Sequence, residues 1–119
     1  MKRFDSLDHL SLNVTDVRRA YEFYRDFIGL RAGSYFDDGA EVWAGSAICM
    51  LLKGEPSTQG VHFGFREDTR TAVDDWARKA ASAGIPIDFG PGLRDWGGYE
   101  VTILDPDGYA VQIWTEASE

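Results

Sequence analysis

Hydrophobic and polar residues alternate strictly along two stretches of this chain. In residues 7–14, Leu10, Leu12 and Val14 fall on one face, and His9, Ser11 and Asn13 on the other. In residues 61–66, Val61, Phe63 and Phe65 share a face, with His62 on the opposite one. A period of two predicts a half-buried strand in each case. Each strand leads into a helical pattern. Thr15 or Asp16 suits an N-cap, because a short side-chain oxygen there can accept an unpaired amide of the first turn. Val17, Ala20, Tyr21, Tyr24, Phe27 and Ile28 then recur at helical spacing until Gly29. After the second strand, Asp68 or Thr69 takes the capping role. Ala72, Val73, Trp76, Ala77, Ala80 and Ala81 form the stripe, which ends at Gly84.

Further strands are expected at 31–36, 41–44 and 47–52. Residues 54–60 read as a linker, and more strands are expected at 85–89, 99–104 and 109–114. Residues 90–98 read as a glycine-rich loop holding Trp96. Asp105-Pro106-Asp107-Gly108 suits a type I turn, and 115–119 a frayed tail. The order strand, helix, three strands therefore occurs twice, with His9 and His62 at matching places, a spacing that suits an internal repeat. The fold class expected is α+β: a single domain, 1–119, of two βαβββ modules (about 1–54 and 60–119) forming a cupped mixed sheet with one helix per module. One helix covers one face of its sheet, so the histidine faces are left to line a trough.

Parity adds candidates to that trough. In 109–114, Tyr109, Val111 and Ile113 share a face and leave Gln112 on the other. In 47–52, Ile48, Met50 and Leu52 share a face and leave Cys49 on the other. By this reading His9, Cys49, His62 and Gln112 point into one cavity, with Trp43 and Glu100 on neighbouring strands and Trp96 and Trp114 supplying aromatic surface. Two imidazoles and an oxygen donor suit a divalent first-row metal that keeps open positions for a substrate. Gln112 carries no charge, so such a set binds a dication less tightly than one with a carboxylate. Cys49 reads more simply as a small buried hydrophobe.

Composition narrows the partners. The 119 residues carry a formal net charge of −8, which repels phosphate backbones and argues against nucleic acid. With 44% hydrophobic residues, a packed interior is attainable. A lone cysteine excludes an internal disulfide, the opening residues lack a secretion signal, and no run is long enough for a membrane span. A cytoplasmic protein is the expectation.

Asp8-His9-Leu10-Ser11-Leu12 with Asp16 and Phe23-Tyr24 to Gly29-Leu30, then Val61-His62-Phe63, and finally Asp105-Pro106-Asp107-Gly108 before Val111-Gln112-Ile113 resemble the vicinal oxygen chelate superfamily. That superfamily includes glyoxalase I, fosfomycin resistance enzymes, extradiol dioxygenases, methylmalonyl-CoA epimerase and metal-free bleomycin resistance proteins. The resemblance implies the fold expected above and a homodimer. It matches the family's two histidine ligands to His9 and His62, its last-strand carboxylate to Gln112, and a fourth-strand ligand to Cys49. The last two are departures, and they count against a metal-bound carboxylate acting as base. The function implied is a divalent-metal-dependent enzyme of lyase or isomerase type (Zn, Ni, Mn, Fe or Mg) acting on a small oxygen-bearing substrate. The stretch 94–101 also resembles bleomycin resistance proteins, which implies the alternative of a metal-free protein sequestering an aromatic or cationic drug.

Overall fold

The structure, a computed structural model, describes residues 2–116 and divides into two compact units, Met1–Ser57 and Thr58–Glu119. In the first unit, β1 (His9–Val14) leads to α1 (Val17–Glu22), which passes directly into a π-helical turn, Phe23–Ile28. Asp16 is the cap: its side chain accepts from the Arg19 amide at 3.1 Å. Gly29, at φ +93°, ends the helix by donating to the Tyr24 carbonyl. The single helix expected up to Gly29 is thus wound more loosely over its second half. Then follow β2 (Arg31–Tyr35), β3 (Gly39–Ala44) and β4 (Ala47–Lys53), giving a mixed sheet of order β1-β4-β3-β2 with β1 parallel to β4. Leu12, Val14, Ala40, Val42 and Leu51 are buried on the helix side, together with Val17, Ala20, Tyr21 and Tyr24.

The second unit repeats this plan. Its elements are β5 (His62–Arg66), α2 (Arg70–Ser82), β6 (Ile87–Leu93), β7 (Gly98–Leu104) and β8 (Ala110–Glu116), in sheet order β5-β8-β7-β6, with β5 parallel to β8. Thr69 caps α2, accepting from the Ala72 amide at 3.1 Å. Val73, Ala77 and Ala80 of α2 are buried, as are Val101, Ile103, Val111 and Ile113 of the sheet. Tyr99 also faces the helix. Its hydroxyl donates to Asp74 at 2.5 Å, which, with burial, raises the hydroxyl's pKa above the ordinary 10.0. The α+β class with two βαβββ modules is therefore what the chain adopts.

Two expectations need correction. Residues 90–98 are not one loop, because β6 continues through Gly90 and Pro91 to Leu93 and only a turn at 94–97 remains. Strand β6 tolerates proline there as an edge strand, paired only with β7. The supposed tail is ordered in part: Thr115 and Glu116 complete β8, while residues 117–119 lie outside the described ones. The Asp105–Gly108 turn forms as expected. Gly108 donates to the Asp105 carbonyl at 3.0 Å, and the Asp105 carboxylate accepts from the amides of Asp107 and Tyr109.

Candidate functional site

Strand register decides which side chains meet. Pairing of β5 with β8 sets His62 beside Ala110 and Gly64 beside Gln112, so His62 and Gln112 project from the same face. The apolar set Val111, Ile113, Val101 and Ile103 is drawn beneath α2, which turns the intervening polar positions outward. On β7, Thr102 pairs with Gln112 and Glu100 with Trp114, which adds both to this open face. Gly64 matters here for what it lacks. A Cβ at that position would lie 2.8 Å from the Gln112 carbonyl oxygen and 3.1 Å from its side-chain oxygen Oε1. The bare backbone of β5 makes room for the amide.

This open face floors a cavity of about 520 Å³ formed entirely within the second unit. His62, Glu100, Thr102 and Gln112 line it from the sheet, and Phe89, Arg94 and Trp96 from β6 and the turn that follows. Glu100 is its organising group, only 1% exposed although it is a carboxylate. Its Oε1 accepts from Arg94 Nε at 2.9 Å and from Gln112 Nε2 at 3.0 Å, while Oε2 accepts from the Thr102 hydroxyl. Arg94 in turn lies over the Phe89 ring, 3.5 Å from its centroid. A buried charge is tolerated only when paired and hydrogen-bonded in this manner. Sequence reading picked out Glu100 but missed Arg94, whose guanidinium reaches the carboxylate because the 94–97 turn folds β6 back on β7.

Trp96 is 57% exposed and sits on that turn. Its ring covers Gly98, where a side chain would overlap it, and meets the Trp114 ring edge-on at 5.4 Å between centroids. Trp114 shares the Gln112 face and is itself covered by the Arg66 guanidinium, 4.9 Å from its centroid. Trp96 lines the cavity, and Trp114 buttresses it.

In the first unit, β1 pairs with β4 so that His9 lies beside Ile48 and Ser11 beside Met50. His9 is exposed, with Nδ1 2.9 Å from the Asp8 carboxylate. Trp43 pairs with Ile48 and so shares the His9 face. Cys49 does not, which corrects the sequence expectation. It pairs with Leu10 and Val42, and it is buried on the helix side of the sheet. The parity count failed because β4 is apolar on both faces, so its own alternation does not say which one the helix covers.

The βαβββ unit occurs twice, and each copy carries a histidine on the sheet face opposite its helix, which is the plan of a recognised family. The chain belongs to the Glyoxalase/Bleomycin resistance protein/Dioxygenase superfamily, whose family model matches residues 6–113. It is 33% identical to an uncharacterized protein of Pseudomonas aeruginosa over 76% of this chain and 81% of that one. Among solved structures it resembles lactoylglutathione lyase from Agrobacterium tumefaciens, with a TM-score of 0.81, 22% identity and 95% of each chain covered. It also resembles a glyoxalase/bleomycin resistance protein/dioxygenase from Nocardioides, with a TM-score of 0.81 and 17% identity over 98% of this chain and 86% of that one. Likeness at such identities establishes the fold.

Members of this superfamily typically use a divalent metal. Among the described residues, no group of three or more His, Cys, Asp or Glu side chains is arranged to hold a metal ion. The second unit nonetheless offers neutral donors suited to one. His62 is exposed on the open face, and Gln112, with its Nε2 committed to Glu100, has its amide oxygen held over the bare backbone of Gly64. Glu100 is held away from solvent by three protein donors, Arg94, Thr102 and Gln112. Among the described residues, no helix is long and apolar enough to cross a membrane.

Proposed function

We propose that this chain is a small-molecule-binding protein whose ligand enters the cavity of the second unit, acting as a divalent-metal-dependent enzyme on an oxygen-bearing organic substrate. The observation that carries this reading is that His62 and Gln112 project from one open sheet face, at the floor of a cavity of about 520 Å³. His62 and the Gln112 amide oxygen are donors in this reading. His9, the counterpart of His62 in the first unit, is the third donor proposed. A metal held there supplies Lewis-acid stabilisation of negative charge developing on substrate oxygens. The chain's own residues do the rest. Trp96 and Phe89 offer ring surface to the organic part of the ligand, and the Arg94–Glu100 pair fixes the floor while keeping the buried carboxylate neutralised. A homodimer in the cytoplasm is part of the same proposal, supported by the family to which the chain belongs and by the single cysteine, buried and unbridged.

The experiment is metal content and zinc titration of chelator-stripped protein, repeated with His62→Ala. Near-stoichiometric binding is expected, weakened at least about 100-fold in the variant, since even outer partners of metal ligands are worth roughly 10–100-fold. Failure to load zinc, nickel, manganese, iron or magnesium would overturn the metal reading. It would leave the metal-free binder, which is favoured by one observation: the buried carboxylate of the wall is already engaged by three protein donors.

A further inference from the structure

We propose that Glu100 is a positioning residue that fixes which end of the Gln112 amide the cavity meets, and that it does so because Arg94 and Thr102 hold its carboxylate in place. The inference rests on the functional reading above and deepens it. An amide side chain has two ends of nearly equal shape, one donating and one accepting, and left alone it can present either. In this site the choice is forced. A carboxylate has only acceptors, so Gln112 must turn Nε2 toward Glu100, and the 3.0 Å bond records that choice. The oxygen is then left over Gly64, on the strand that carries His62, where a Cβ would crowd it.

Glu100 itself cannot rotate away. Arg94 Nε shares the oxygen that Gln112 contacts, and Thr102, two residues on along the same strand, grips the other. The carboxylate is 1% exposed and every contact made to it is a donor. The device therefore converts a buried carboxylate into a directional constraint on a neutral amide. It also explains why a glutamine suffices at 112. A carboxylate there would stand about 3 Å from that of Glu100, where two like charges repel strongly in a buried setting.

The test is a double-mutant cycle on metal-free protein, followed by zinc titration. Gln112→Glu alone should lower the melting temperature by several degrees through the opposed carboxylates. Glu100→Gln alone should lower it by abandoning Arg94. The combined variant Glu100→Gln/Gln112→Glu restores a donor facing an acceptor with the polarity reversed, and should lose less stability than the two single variants added together. Should either single variant fail to fold, folding of the double variant is itself the rescue. In wild-type protein the Gln112 side-chain NH₂ signals should show one hydrogen shifted downfield and slow to exchange, a feature lost in Glu100→Gln.

Additive effects in the cycle, or Gln112 signals unchanged by Glu100→Gln, would overturn the inference. So would zinc affinity unchanged in Glu100→Gln when the wild type binds zinc; a weakening of about tenfold or more is expected. If the wild type binds no zinc yet the cycle is coupled and the signals respond, the pair stands and the metal reading fails.

Discussion

Replacing Arg94 with alanine is expected to lower the unfolding free energy by about 2–3 kcal/mol. Removing one partner of a buried ion pair costs roughly 3–5 kcal/mol, because the other charge is left in a medium that solvates it poorly. Glu100 is such a charge at 1% exposure, but Arg94 is 37% exposed at its side chain, so water can partly replace it and the upper part of that range does not apply. Thr102 and Gln112 remain as donors to the carboxylate and limit the loss further. The Phe89 ring loses the cation seated on it. Urea denaturation at neutral pH reads the effect as a shift in midpoint at unchanged slope. Combining Arg94→Ala with Glu100→Gln should recover part of the stability, since the stranded charge is then gone. A loss below about 0.5 kcal/mol for Arg94→Ala, the range of an exposed pair, would show that Glu100 is solvated in solution.

Gly90→Ala is expected to cost about 3 kcal/mol, although the residue added is the smallest side chain. Gly90 sits at φ +84°, a conformation that costs an L-residue roughly 1–2 kcal/mol. A Cβ there would also overlap the Glu100 carbonyl oxygen on β7, so β6 must move off its neighbour at the point where the cavity floor is anchored. Steric strain of this kind typically adds about 1–3 kcal/mol. The same substitution at Gly108, also at positive φ but with nothing within 4 Å of the added Cβ, should cost only the conformational part. Equal losses at the two positions would mean that close packing of β6 on β7 contributes nothing. Differential scanning calorimetry on the pair of variants measures this directly.

Much of the architecture was legible because burial on one side leaves a period of two. Tyr109, Val111 and Ile113 against Gln112 gave the correct outward face of β8, and the His62 strand gave the same face of β5. Helix starts followed from capping chemistry, at Asp16 and Thr69. The internal repeat was visible as matching strands before any pairing was known, and both units share one strand order. What failed has a common cause. Cys49 lies on the face opposite the expected one, because Ile48, Met50 and Leu52 are apolar on the open side and parity within β4 has no orientation without its partner β1. Strand β6 runs past the end its sequence suggests, because Gly90 and Pro91 carry loop signals that an edge strand accommodates. The widening of the first helix into a π-turn left no mark on the spacing of Tyr24, Phe27 and Ile28. The role of Arg94 leaves no sequence signal, because it depends on a turn geometry that brings it back to Glu100, six residues along the chain.

Zinc titration of uniformly labelled, chelator-stripped protein, followed by amide and side-chain NMR signals, probes the role of the open face most directly. Saturable shifts near one equivalent at His62, Gly64 and the Gln112 side chain, together with His9, are predicted, with the signals of Arg70–Ser82 unmoved. Shifts scattered without saturation over exposed acids such as Asp37 and Asp38, with His62 and Gln112 silent, would contradict it.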